Sequence, residues 1–348
     1  MKGRNHEYED SRSLSLVVSL FILALNPARS SAQEFYKGKT LRIIVGYAPG
    51  GGFDLYSRAI ARHIGRHIPG NPTAIVDNMP GAGGIILGNY MSQAKPDGLT
   101  IGNIIGSMVQ QQLFGTKGIE FDMSKFNWVG VPVQDITACA LTKASGITSL
   151  DKWLAAKEPI KIGGEGPGTN DSDAPRILKL ALGLPIQLIE GYKGTSQIRM
   201  AAEAGEVAGG CWTWESIKVT WRKGLDAGLV NVVLQINRER HSELAQVPNA
   251  IEYAKTDEGR QLLQLGVHDA NAILRAYMLP PATPKDRVET LRAAFMETMK
   301  DPEFLSEMNK SNFAINPLSG EQVQKIIAGY FKLPAAQLAR LKEALGVH

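Results

Sequence analysis

Two glycine-rich stretches hold the residues with the clearest capacity for chemistry: Tyr47-Ala48-Pro49-Gly50-Gly51-Gly52-Phe53-Asp54 and Gly163-Gly164-Glu165-Gly166-Pro167-Gly168-Thr169-Asn170. Each lies between a β-rich run and a helical pattern. Glycine lets backbone N–H groups turn into one concavity, and the helix that follows offers unpaired N–H groups at the positive end of its dipole. An anion is the group such a loop holds, and it needs no cationic side chain. The candidate ligand-binding residues are Tyr47, Pro49, Gly50, Gly51, Gly52, Phe53 and Asp54 in the first loop, with Gly164, Gly166, Gly168, Thr169 and Asn170 in the second. Asp54 has an equal second reading, as a helix cap or an acceptor for the loop's own amides.

The constellations of an enzyme are missing. Neither loop contains Gly-Lys-Ser/Thr, so neither is a nucleotide P-loop. His63 and His67 stand four apart, but no Glu follows His63 and no further ligand is in place, so they read as a solvated helix face. Gly-x-Ser-x-Gly is absent, which removes the usual nucleophile elbow. Glu165 with Asp171 or Asp173 pairs carboxylates, yet a glycine-rich loop is a poor platform for fixed acid–base geometry. No catalytic residue, metal or cofactor is expected. Cys139 and Cys211 are far apart in sequence; they could pair in an oxidising compartment, but two separately buried thiols are the simpler expectation.

The elements that must carry the loops alternate. Leu41–Val45 is a strand, and Asp54 to Ile68 has apolar residues at helical spacing (Leu55, Ile60, Ile64, Ile68), stopped by Pro69-Gly70. Ala74–Val76 is a second strand, Ile85–Ala94 a helix, and Leu99–Ile104 a third strand. Short connections between such elements mean an α/β fold with a parallel sheet covered on both faces. The pattern restarts after about residue 138, with strands at 159–163, 187–189, 207–211 and 230–235 and helices at 147–156, 173–182 and 198–204. Past Pro248 the chain reads as mainly helical, near 256–265, 285–300 and 321–331. In open sheets of this kind ligands bind outside the carboxyl ends of the strands, where both glycine loops would lie.

The N-terminus reads as an export signal. Lys2, Arg4 and Arg12 precede an apolar run of 12 residues, Leu14–Leu25, followed by Ser30-Ser31-Ala32. The run is short for a span, which needs roughly 20 residues. Cleavage after Ala32 is expected, with an uncleaved anchor as the alternative. About 316 residues then remain (348 minus 32), enough for two lobes. A net charge of +4 from scattered basic residues gives no nucleic-acid stripe.

At this point specific residues match a family. Leu41–Asp54 with Ser57-Arg58 resembles the opening segment of the Bug-type periplasmic binding proteins, the receptor subunits of tripartite tricarboxylate transporters. Asn78–Gly84 is similar to that family's N-x-P-G-A-G-G segment, Lys95–Gly98 to its P-D-G-x-T turn, Tyr192-Lys193-Gly194 to its Y-K-G turn, and Ala282-Thr283-Pro284 to its C-terminal G-T-P segment. The resemblance covers nearly the whole mature chain in order. It implies a two-lobed Venus-flytrap fold, each lobe a mostly parallel sheet flanked by helices: residues 34–137 plus 249–348 in one lobe and 138–248 in the other. It further implies a monomeric periplasmic receptor that captures a small carboxylate and passes it to membrane transporter subunits. In the family the two loops grip one ligand carboxylate, partly through ordered water, and Tyr192 to Thr195 lies on the second-lobe wall, which adds Tyr192 and Thr195 to the candidates.

Two departures bear on the ligand. Glu165, Asp171 and Asp173 put acid where the family's second loop reads like G-S-x-G-x-G-S, raising desolvation and repulsion costs for an anion unless those side chains face solvent or a cationic part of the ligand. Cys211-Trp212-Thr213-Trp214-Glu215 replaces a small-apolar and acidic segment. Strand alternation puts Trp212 and Trp214 on one face. Either Trp212 or Trp214 walls the cleft, favouring an aromatic carboxylate, or both pack in the second lobe's core. A sensor that presents its closed form to a signalling receptor is the alternative function, and a cleft hydrolase a remoter one.

Overall fold

The computed structural model describes residues 35–47, 49–50 and 52–347. The segment read as an export signal and Gly51 of the first loop lie outside the described residues. Strand β1 (Thr40–Val45) buries Leu41, Ile43, Ile44 and Val45, a near-continuous apolar run that needs cover on both sides. The chain continues through β2 (Thr73–Asn78), β3 (Thr100–Ile105) and β4 (Asn127–Val131). It then builds β5 (Thr137–Thr142), β6 (Ile160–Gly164), β7 (Ile186–Glu190), β8 (Gly209–Thr213) and β9 (Val230–Ile236). It returns for β10 (Arg275–Leu279) and β11 (Leu318–Ser319).

These strands form two sheets, in the orders β11-β4-β10-β3-β1-β2 and β7-β6-β8-β5-β9. In the first, β1 is parallel to β2 and β3, while β10 runs antiparallel to both β3 and β4. In the second, β6 is parallel to β7 and β8, and β5 runs antiparallel to β8 and β9. Thus β1 to β4 share one direction and β6 to β9 another, each set interrupted by a reversed strand. The chain crosses between the sheets after β4 and again after β9. The C-terminal segment is mainly helical, as expected, and it also contributes β10 to the middle of the first sheet.

Helix Gly52–Ile64 follows β1 and buries Tyr56, Ala59, Ile60, His63 and Ile64, one stripe at helical spacing. Leu55, expected in that stripe, is 40% exposed, because five residues before Ile60 it points roughly 140° round the helix from it. His63 is likewise not on a solvated face; it is buried and packs edge-on against Phe304. Helix Asn170–Leu182 follows β6 and is covered by helix Asp257–Leu263, where Gly259 leaves room for Ala181.

Cys139 and Cys211 face each other on β5 and β8 and form a disulfide, correcting the expectation of two separate thiols. Sequence distance hid the pairing because an antiparallel register, not a local motif, brings the two together. Trp212 packs in the second sheet's apolar cluster, stacked on Trp221 with ring centroids 5.6 Å apart.

Candidate functional site

The first loop closes on itself. The Gly50 amide donates to the Asp54 carboxylate at 2.9 Å, and Arg58 Nε and Asn78 Nδ2 donate to the same carboxylate at 2.9 and 3.0 Å. Asn78 also donates to the Tyr47 carbonyl, and Tyr47 Oη donates to the Gly83 carbonyl at 3.0 Å. Burial opposes ionisation of Asp54, but the hydrogen bonds from Arg58, Gly50 and Asn78 outweigh it and hold its pKa below the ordinary value. Asp54 thus accepts from its own loop. The Tyr47 and Phe53 rings lie 4.2 Å apart beside it, while Pro49 and Gly50 are exposed.

The second loop is tied down by the acids that follow it. The amides of Glu165, Gly166 and Gly168 donate to Asp171 Oδ1 (3.1 Å), Ser172 Oγ (2.8 Å) and Asp173 Oδ1 (3.1 Å). Thr169 Oγ1 donates to Asp171 at 2.6 Å. Gly164 is buried where any Cβ would strike Ser172 Oγ at 2.4 Å, and Gly168 has φ +86°, so both positions require glycine. Burial, then the neighbouring Asp171, pushes the Glu165 carboxyl up to about 8. Burial also pushes Asp173 up to about 7, against the opposing Gly168 amide. At neutral pH this loop therefore carries less negative charge than its composition suggests.

The two loops meet a common pair of chain segments, the second by hydrogen bonds and the first through Arg275. Asn170 Nδ2 donates to Asn271 Oδ1 (2.6 Å), Asn271 Nδ2 to Thr137 Oγ1 (2.7 Å), and Thr137 Oγ1 to Asn170 Oδ1 (2.9 Å), a closed ring. Two residues before Thr137, Asp135 accepts a hydrogen bond from Arg275 Nη1. The Arg275 guanidinium lies over the rings of Phe53 and Tyr56, 5.5 and 5.2 Å from their centroids, beside Gly52. The residues 135–137 and 271–275 thus join the first loop to the second, although no hydrogen bond links the loops directly among the described residues. Arg275 and Asn271 escaped sequence reading because β10, which Arg275 opens, lies in a stretch to which no element was assigned.

Tyr192 is half-buried, its ring beside Gly163, and Thr195 opens helix Thr195–Glu203. Trp212 belongs to the buried apolar cluster against which Tyr192 also packs. Alternation fails for Trp214 because β8 ends at Thr213 and Trp214 starts a helix, where its Nε1 donates to Glu243 at 2.8 Å. Of the two readings of this pair, the core one describes their positions. A cavity of about 170 Å³ separates the second loop from helix Met108–Leu113 and touches Gly168, Asp173 and Gln111. His63, Asp301 and Glu303 have donor atoms within 4.8 Å of one another, but Arg66 pairs with both carboxylates and already supplies the positive charge there.

The arrangement suits capture of a small charged molecule between loops that share supports. Residues 58–336 match the family described as "Tripartite tricarboxylate transporter family receptor". A UPF0065 protein of Cupriavidus necator is 24% identical over 323 residues, 92% of each chain. A TctC solute-binding protein from Polaromonas, solved without ligand, superposes with a TM-score of 0.68 at 18% identity, covering 89% of this chain and 99% of that one. The R. palustris protein Rpa4515, solved with adipate, gives 0.66 at 17% identity, with 89% and 98% covered. At these identities the structural likeness speaks for the fold, two α/β lobes.

Proposed function

The chain belongs to the tripartite tricarboxylate transporter receptor family, and we propose that it captures a small aliphatic carboxylate between its lobes and delivers it to membrane transporter subunits. As a member of that family it is a solute-binding receptor and not an enzyme, and receptors of the family are periplasmic. One observation supports the ligand reading: the two glycine loops follow β1 and β6, the second is hydrogen-bonded to Thr137 and Asn271, and the first lies against Arg275, which pairs with Asp135. A movement of one lobe about those segments changes the gap between the loops, which is what ligand-driven closure requires. The adipate of Rpa4515 supports the chemical class. Trp212, stacked on Trp221 inside the core, gives no support to an aromatic wall, so the ligand proposed is aliphatic.

The lobes proposed are 34–137 with 249–348, and 138–248, with helix Asp257–Leu263 reaching across to helix Asn170–Leu182. The protein is taken to act as a monomer after cleavage of its export signal at Ala32. Thermal unfolding of the mature chain with adipate, malate, citrate and benzoate tests the reading. A ligand at about 100 times its dissociation constant adds about 2.7 kcal/mol of stability, so the aliphatic acids should raise the melting temperature. No rise with any of them refutes it, and a rise with benzoate alone restores the aromatic ligand.

A further inference from the structure

The amide groups that would grip an anion are largely taken by the protein's own side chains. Gly50 donates to Asp54, while Glu165, Gly166 and Gly168 donate to Asp171, Ser172 and Asp173. An incoming carboxylate therefore needs another donor. On the first lobe, what lies nearest the start of helix Gly52–Ile64 is a guanidinium.

Resting on the carboxylate reading above, we propose that Arg275 is a ligand-binding residue. The Nε–Nη2 edge of its guanidinium takes one ligand carboxylate beside the first turn of that helix. Arg275 is 7% exposed, and its Nε has no hydrogen-bond partner. Asp135 occupies Nη1, on the other side of the guanidinium. A Cβ added to Gly52 would lie 3.2 Å from Nη2 and 3.5 Å from Nε, so this free edge faces the helix N-terminus. The guanidinium lies over the rings of Phe53 and Tyr56, whose π faces attract the cation and help to hold it in place. A buried donor without a partner is costly, and a carboxylate accepting from both Nε and Nη2 removes that cost with planar, two-point geometry. Asp135 offsets the buried charge in the empty state, and the helix dipole adds to the attraction for a second anion.

Calorimetry on the full chain tests the assignment, with succinate, malate and adipate each set against its diamide. The native chain should prefer the acid to the amide. Arg275→Lys keeps the charge opposite Asp135 but loses the two-point edge. The pair Asp135→Asn with Arg275→Gln removes both charges together, so no ion is stranded in the core. Gly52→Ala crowds the edge and leaves the ion pair in place. Each should weaken acid binding about tenfold or more, the loss of a charge-assisted contact, while amide binding changes less than about twofold. Unchanged acid affinity in all variants that fold overturns the role of Arg275 and leaves the carboxylate reading intact. Equal losses for acid and amide assign Arg275 a structural part instead. A native chain that binds none of the three acids overturns both readings.

Discussion

Asn271 donates its side-chain N–H to Thr137 Oγ1 at 2.7 Å, although the two stand 134 residues apart in the chain. Thr137 opens β5 in the second sheet, and Asn271 lies four residues before β10 in the first. Asn170 completes the ring at the base of the second loop. Asn271→Ala leaves buried Thr137 and half-buried Asn170 short of partners and should cost about 1–3 kcal/mol in urea unfolding. It should also weaken ligand binding, since the second loop loses its tether. Full stability in the variant refutes the ring as a support.

The disulfide between Cys139 and Cys211 encloses a long stretch of the second lobe, with a sequence separation of 72. Replacing both cysteines with serine should lower stability by about 2–4 kcal/mol, mostly by freeing the unfolded chain. Ligand affinity should stay within about twofold, since neither cysteine reaches the loops. Denaturation in the presence and absence of reductant makes the same comparison on the native protein.

Trp212 separates the core reading from the cleft reading. Trp212→Ala should cost about 3–5 kcal/mol by emptying the space beside Trp221. Affinity for adipate, measured at a temperature where the variant remains folded, should not change by more than about twofold. A selective loss of affinity with little loss of stability contradicts its place in the core.

Stability should fall as pH rises through neutrality at the second loop. Glu165 and Asp173 lie above the ordinary carboxyl values, near about 8 and about 7. Between about pH 4 and those values the folded chain binds more protons than the unfolded one. Their contribution is complete at the acid end and is lost as pH passes 7 to 8. Glu165→Gln removes one of the two groups. Its melting temperature should match the native value near pH 5 and exceed it by pH 9. A difference independent of pH shows that the Glu165 carboxyl is not raised.

The sequence revealed the glycine loops well because glycine, strand and helix signals coincide at both. It also revealed β1, β2, β3 and β6, whose apolar runs end at turn residues. Strands β4, β5 and β10 went unread for a shared reason. Each is buried along nearly its whole length, and β5 (Thr-Ala-Cys-Ala-Leu-Thr) shows neither alternation nor bulk. Arg275 went unread with β10, since a single arginine carries no spacing signal until a strand places it under a distant loop. Asp54 was legible only as a choice between two roles. The acids of the second loop looked like an obstacle to anions; their hydrogen bonds to the loop amides depend on the turn geometry, which composition does not encode.

Strand β10 stands between β3 and β4, so the first sheet remains two fragments until the polypeptide has been made as far as Leu279. The second sheet needs nothing beyond Ile236. During vectorial synthesis or translocation, the half that starts first must therefore finish last, with the edges of β3 and β4 open in the meantime. Such open edges invite pairing with other chains. A helper that shields extended segments should improve the yield of this protein more than one that acts on compact intermediates.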